Sequence, residues 1–591
     1  MAEPLNVVLL IADGHGYHTG DLDWGTEEYR GLRSRLERLR LEERGFAKFT
    51  NVVSPAVSTI MSIESMLTGL YAAKTHKLHW REWPEWDRLE HPQFSTFLQA
   101  RGYAVNGFSY LLNAENWMPG IHCYKPELYR DFPSHKRDTH SHHAVLAAVK
   151  HYFAHDGQQS RPQCLLIHSI FVYDFWDELM DLCERHGLTA ANTIFAFTSD
   201  HYFPKNFGRQ WLLGERDGWS IWHHTDLTED NTRVFLYLKY PGLQPRVVGD
   251  VVAGYDVAPT LLELLGLRGE WPARCDGESV LPLLAGAGGT EGRVVRNDNV
   301  YPFQIGEKQG RISAVRFGRF KYVFRPDPVS SYISYRMHEP WGCVLGPEEL
   351  YDIAADPEEQ RNLVGSTDPT AEAALERGRA ELRRTSGEIL EFHAEHLRKF
   401  AERTGLAARL RPGAGPPARV LCFQSCPPEV AVTLVRMLGG LWPAAQIDLV
   451  TRETGGLALP GRVRAVSEPT GAYDCGLRLS NFPVGAYAGV YDPGVHPVGD
   501  FAEAGRVLRA LAVPAKFTLA LDGSLTALGN SDQPAGDGVW ARCRQAARRA
   551  AAGAVEGLKP KLRRWLRSVE SGGAGIPQHL AERIIRKDRA E

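Results

Sequence analysis

The sequence predicts an α/β protein: a sheet flanked by helices, followed by a smaller C-terminal α/β domain. From the N-terminus to about residue 365, short apolar runs alternate with helical patterns, which is how strands joined through helices read. The runs are close to continuously apolar, as strands buried on both faces must be. After a Pro/Gly-rich break, LRPGAGPPAR (410 to 419), a new strand-helix-strand pattern begins, which marks a second domain.

The expected strands are NVVLLIA, YAVNGFS (103 to 109), CLLIHSIFV (164 to 172), NTIFAFTS (192 to 199) and RVFLYLKY (233 to 240). Helices are expected over Val57 to Leu67, His143 to Phe153 and Trp176 to His186. RISAVRFGRFKYVF (311 to 324) has a glycine between two alternating runs and reads as a hairpin. Ala, Glu, Leu and Arg at helical spacing make one long helix of about 370 to 405. The expected organisation is therefore a large α/β domain over 1–409 with a subdomain from about 300, a linker over 410–418, and a small α/β domain over 419–591.

Composition limits the function. The chain has 591 residues, a formal net charge of −3 and 24% charged residues, so it lacks the concentrated positive field of a nucleic-acid binder. LNVVLLIA is too short to span a bilayer and lacks the flanks of a secretory signal, which predicts a cytoplasmic protein. The nine cysteines contain no CxxC pair, so reduced thiols are expected rather than a disulfide framework. Cys422 and Cys426 are the nearest pair and a weak metal signal. Residues 536 to 591 hold 13 Lys/Arg against 6 Asp/Glu and read as a solvated basic helix.

Three places carry chemistry. Asp13 directly follows the first strand in LLIADG, at the sheet edge where open α/β folds bind ligands. Asp200 and His201 end another strand in FAFTSDHY, an adjacent carboxylate and imidazole suited to a divalent metal. Ser58 and Thr59 open the helix of SPAVSTIMSIESMLTGLY. A hydroxyl there either caps the helix or, since helix N-termini favour anions, faces a sulfate or phosphate.

These motifs occur in order with DVAPTLLELLGL (256 to 267), DGESVLPLLAG (276 to 286) and ELYDIAADPEEQRNL (349 to 363). The set resembles the sulfatase branch of the alkaline-phosphatase superfamily. The resemblance implies an alkaline-phosphatase-like fold and one divalent ion, Ca, Mg, Mn or Zn, held by Asp13, Thr59, Asp200 and His201. It places the nucleophile ten residues before Gly69, at Thr59, with Ser58 and Ser62 as fallbacks. Formylglycine sulfatases need Cys or Ser followed by x-Pro-x-Arg; Thr59 is followed by Ile60, Met61, Ser62 and Ile63. The aspartate that usually follows the first is here Gly14. The chain thus looks like the threonine-type, non-formylglycine members, which include phosphodiesterases and phosphoethanolamine or glycerophosphate transferases.

The resemblance also implies an acid or anion binder at His224 or His223, in LGERDGWSIWHHTDLTED, and a histidine at His76. His135, His140, His142 and His143 read as solvated surface, and His168 as a satisfied core histidine, although it falls where the family contacts substrate. Tyr173 stands where that family usually has histidine, which points to altered recognition. The β-α-β unit from 419 weakly resembles the opening of heptosyltransferase-like glycosyltransferases, a Rossmann-like domain here without GxGxxG. The expected function is a metal-dependent hydrolase of sulfate or phosphate esters working through a covalent threonine intermediate. A phospho-group transferase acting on a glycan and an inactive binding or scaffold protein are the alternatives. A small-molecule or glycan ester is the expected partner, and nucleic acid is not.

Overall fold

A computed structural model describes residues 4–14, 36–75, 92–109, 124–125, 141–157, 161–170, 172–202, 227–325 apart from 273, 288, 290, 291, 306 and 307, 348–403 apart from 358 and 360, 416–451 apart from 426 and 427, 459, 461–466, 472–480, 515–520 and 525–527. The predicted strands appear within a few residues of their expected bounds. They are β1 (Asn6–Ala12), β3 (Ala104–Ser109), β4 (Gln163–Ser169), β5 (Thr193–Ser199) and β6 (Arg233–Lys239). Among the strands with no counterpart in the sequence reading is β2 (Ala47–Val53). Lys48, Thr50 and Asn51 interrupt its apolar pattern, and a bulge between Phe49 and Val52 breaks its register with β6.

Among the described residues these strands form a mixed sheet in the order β3-β4-β1-β5-β6-β2-β7, with β7 (Val247–Val248) at one edge and β8 (Val252–Ala253) also pairing β2. β1 is central, parallel to β4 on one side and β5 on the other. Strand alternation divides its side chains between two cores. Val8, Leu10, Leu165 and Ile167 pack with helices α3 (Ser141–His155) and α4 (Trp176–Arg185). Val7, Leu9, Ile11, Leu166 and Ala196 pack with α1 (Thr59–Thr68), α2 (Phe94–Gln99) and α5 (Val257–Leu264). Helices therefore cover both faces, which is why the strands could be so uniformly apolar.

Downstream, β9 (Val294–Ile305), β10 (Lys308–Phe317), β11 (Phe320–Phe324) and β12 (Glu348–Asp352) form a second sheet in the order β12-β11-β10-β9. The expected hairpin is there: Phe317 faces Phe320 across a turn in which Gly318 has φ 52, the left-handed region that glycine enters at little cost. The long helix, α6 (Pro369–Arg403), follows. The chain divides into two compact units, the first made of Met1–Pro302, Arg311–Ser331 and Gly346–Ile389, the second of Phe303–Gly310, Tyr332–Leu345 and Leu390–Glu591. In the second, β13 (Arg419–Ser425), α7 (Pro428–Leu441) and β14 (Gln446–Val450) form the expected β-α-β unit, with the strands parallel. β15 (Val463–Val466), β16 (Cys475–Ser480), β17 (Ala515–Ala520) and β18 (Leu525–Ala527) complete a sheet in the order β15-β14-β13-β16-β17-β18. The basic segment 536 to 591 lies outside the described residues. No helix among them is long and apolar enough to cross a membrane.

A buried ionic cluster joins the hairpin to the segment preceding β6. Arg316 lies 2.9 Å and Lys321 3.4 Å from the Glu229 carboxylate, and Lys321 is 3.0 Å from Glu359. Burial works to raise the Glu229 pKa, but the nearby Arg316 and Lys321 outweigh it and bring it down to about 2. The folded value lies below the unfolded one of about 4.3, so this contribution is complete above that pH and is lost as pH falls toward 2. Glu229→Gln should cost about 3–5 kcal/mol at neutral pH, because it strands buried cations. It should also flatten the acid limb of stability between about pH 4.3 and 2. Urea unfolding at stepped pH measures both effects, and an unchanged acid limb would remove Glu229 as its source.

Candidate active site

Strand parity decides which residues can meet. Asp13 lies two residues past Ile11, Asp200 two past Thr198, and Ile11 pairs with Thr198 in register. Both carboxylates therefore leave parallel neighbours at one level, on the face that packs against α1. The backbone N–H of Asp13 donates to the Ser169 carbonyl (3.1 Å), which ties this edge to the end of β4.

Thr59 is the first residue of α1, and Ser58 precedes it in extended conformation without a side-chain cap. Thr59 Oγ1 stands 3.2 Å from His201 Nε2. The His201 Nδ1–H faces the Tyr202 carbonyl at 3.3 Å, a pairing that requires the proton on Nδ1 and leaves Nε2 toward the site. Ser62 is fully buried and donates to the Asp200 carbonyl (2.5 Å), as does Ser54. As a fallback nucleophile Ser62 is thus already committed to holding the Asp200 backbone.

The α1 helix is pinned at its far end. Gly69 closes it at φ 70, and a Cβ there would sit 2.9 Å from Cys275 Sγ. The Gly69 carbonyl accepts from the N–H groups of Asp276 and Gly277, and Asp276 in turn accepts from the Tyr71 N–H and pairs with Lys74 at 2.6 Å. A Cβ on Gly277 would come 2.0 Å from the Tyr255 carbonyl oxygen. The LTGLY and DGESV motifs therefore clamp one another.

Asp200 Oδ1 accepts from the N–H groups of Gly14 (3.0 Å) and His201 (2.8 Å). Asp200 Oδ2 is buried and receives no hydrogen bond from any described residue. It lies 3.5 Å from His201 Nε2, which is also 3.9 Å from Asp13 Oδ1. Burial raises the Asp200 pKa and the Asp13 charge adds to it, against the opposing pull of His201. A divalent cation resolves such an arrangement. The spacings agree, since donors bound at 2.0–2.1 Å to one tetrahedral ion lie roughly 3.4 Å apart. Carboxylates, imidazole and hydroxyl are the donors such an ion takes.

The structure thus brings together Asp13, Thr59, Asp200 and His201, and it adds one residue. Asp13, His168 and Asp200 each offer a ligand atom within 4.8 Å of the other two. The sequence reads His168 as a satisfied core histidine, and it is buried. The available signal was parity, because His168 pairs with Ile11 and so shares a face with Asp13. His76, His223 and His224 lie outside the described residues, as do His135 and His140, while His143 is exposed at the start of α3. Tyr173 is buried against Phe197.

Residues 5–171 match the sulfatase family model, and 218–384 match the C-terminal model of N-sulphoglucosamine sulphohydrolase. Both matches point to the alkaline-phosphatase-like sulfatases. The first takes in Asp13, Thr59 and His168, and the motif bearing Asp200 and His201 falls between the two. A choline-sulfatase of Rhizobium meliloti (strain 1021) is 27% identical over 241 residues, 40% of this chain and 40% of that protein. The multifunctional alkaline phosphatase superfamily protein PehA of Trinickia caryophylli is 32% identical over 208 residues, 32% of this chain and 33% of that protein. The matches thus span less than half the length of either curated relative. The phosphonate monoester hydrolase from Silicibacter pomeroyi superposes with TM-score 0.48 at 15% identity, covering 65% of this chain and 95% of that one.

If Asp200 Oδ2 is a cation ligand, stability should depend on the ion. Adding a divalent ion at about 100 times its Kd to chelated protein should contribute about 2.7 kcal/mol and raise Tm. Asp200→Ala should lose that increment. Equal increments in the two proteins, read by thermal melts with and without chelator, would remove Asp200 from the ion's site.

Proposed function

We propose that this chain is a metal-dependent hydrolase of sulfate or phosphate esters with Thr59 as its nucleophile. The carrying observation is the position of the Thr59 hydroxyl, at the N-terminus of α1 and 3.2 Å from His201 Nε2, beside two buried carboxylates. Asp13, Asp200 and His201 would hold one divalent ion, which lowers the pKa of a coordinated hydroxyl and offsets charge on the transferring group.

Thr59 is oriented by helix geometry rather than by a flexible loop, and the first-turn amides of α1 favour an anionic ester in front of it. Its Oγ1 attacks phosphorus or sulfur in line and gives up its proton to solvent. The bond to the ester oxygen breaks, and the leaving oxygen takes a proton from an acid, for which His224, His223 and His76 are the candidates. Water then releases the group from Thr59; an acceptor alcohol in its place would make the enzyme a phospho-group transferase. A threonyl sulfate lacks the aldehyde-hydrate route by which formylglycine expels sulfate, so phosphate esters rank first. The curated relatives, one a choline-sulfatase, keep sulfate esters in the test. His201, which faces Thr59, Asp13 and Asp200 through its Nε2, argues against a scaffold that has lost its chemistry.

For the second unit we propose a Rossmann-like accessory domain. Its order β15-β14-β13-β16-β17-β18 follows the 3-2-1-4-5-6 pattern of doubly wound sheets, with β18 antiparallel to β17 and the other pairs parallel.

Aryl sulfate, phosphate monoester and phosphate diester should be assayed in parallel with each divalent ion added back. Turnover of at least one ester is expected, and Thr59→Ala should lower kcat by about 10³-fold or more. Acid-quenched intact-mass measurement should find a phosphoryl or sulfuryl adduct on wild type and none on Thr59→Ala. Full activity in Thr59→Ala would end the covalent reading.

A further inference from the structure

We infer that His168 is a further ligand of the ion, and that the site therefore selects a transition ion of the zinc kind over calcium or magnesium. This rests on the metal-dependent reading above and deepens it.

The placement follows from the sheet. β3, β4 and β1 are parallel neighbours, with Ser109 opposite His168 and His168 opposite Ile11. His168 thus lies one strand over from Asp13 and on its face. Its Nε2 is 3.5 Å from Asp13 Oδ2, while His201 Nε2 approaches the other oxygen, Oδ1, at 3.9 Å. One carboxylate is therefore flanked by two imidazoles. Asp200 is fully buried, has an oxygen that receives no hydrogen bond from any described residue, and completes a set whose atoms lie within 4.8 Å of one another.

Ser109 supplies the orientation. Its hydroxyl is 3.0 Å from His168 Nδ1 and is buried at the end of β3. With Nδ1–H donating to Ser109 Oγ, the Nε2 lone pair faces Asp13 and Asp200, as in metal-bound histidines whose far nitrogen is held by a partner. A histidine that only filled core space would have no need of two carboxylates ahead of its second nitrogen.

The donor set then fixes the ion class. Calcium and magnesium take oxygen ligands, whereas imidazole favours zinc and its transition-metal neighbours. Two imidazoles, two carboxylates and a hydroxyl supply more nitrogen than a calcium site would use.

The test uses chelated full-length protein titrated separately with Zn²⁺, Ca²⁺ and Mg²⁺ by calorimetry. One zinc per chain is expected, bound at least 100-fold tighter than calcium. His168→Ala should weaken zinc at least tenfold, and Ser109→Ala should weaken it less, through orientation alone. Pulsed EPR of Cu²⁺-loaded protein should count two imidazole nitrogens in wild type and one in His168→Ala. If His168→Ala does not fold, the wild-type nitrogen count still decides. A single nitrogen in wild type, unchanged zinc affinity in His168→Ala, or preference for calcium overturns this inference and leaves the hydrolase reading standing. No ion bound by wild type overturns both.

Discussion

Two carboxylates that cannot both be solvated set the terms for the rest of this site. Asp13 and Asp200 leave neighbouring parallel strands at one level and on one face, and both are almost completely buried. Neither strand can slip to separate them, because a shift of one residue would turn every apolar side chain of β1 or β5 to the opposite core. The cost of holding two acids together is thus imposed by the register of β1 and β5, whose apolar side chains fill the two cores of the sheet. It cannot be relieved locally, so it favours a cation.

The surrounding polar groups act on this pair by fixing one side of Asp200 and leaving the other open. Ser54 and Ser62 hold its backbone carbonyl, and Gly14 and His201 occupy Oδ1. Oδ2 is what remains. The hydroxyl of Ser199 lies within donating distance of both the Ala12 and the His201 carbonyls (2.7 and 2.8 Å) and shares its one proton between them, which links the ends of both strands. The clamp of Gly69, Asp276 and Gly277 does the same for α1 from a distance, so that Thr59 arrives at the site on a helix whose ends are both constrained.

Much of this was legible in the sequence because the strands are apolar on both faces and end in chemistry. NVVLLIA-Asp13 and FAFTS-Asp200 announce both the strand and the residue after it, and the helix over Thr59 follows from its spacing. His168 was not legible for an opposite reason. It sits inside an apolar strand rather than after one, so its surroundings read as core, and only knowing that β4 pairs with β1 in the register Ile11 to His168 reveals which carboxylate it meets. β2 was hidden by its polar residues and bulge, since alternation fails where a strand bends. The order of strands is long-range information that periodicity does not contain.

Gly14 shows how the departure from the family pattern fits the same physics. It stands where the resembling family has a second aspartate, at φ 73, a conformation costing other residues roughly 1–2 kcal/mol. Its N–H binds Asp200 Oδ1, and with no side chain it brings no further negative charge beside that carboxylate. On the proposed site the charges then balance: two carboxylates offset one divalent ion, and further imidazole adds none. A third carboxylate would leave the site negative before an anionic ester arrived, and the attraction needed at the developing charge would be smaller. Losing that aspartate is therefore compatible with catalysis, provided neutral donors complete the ion's shell.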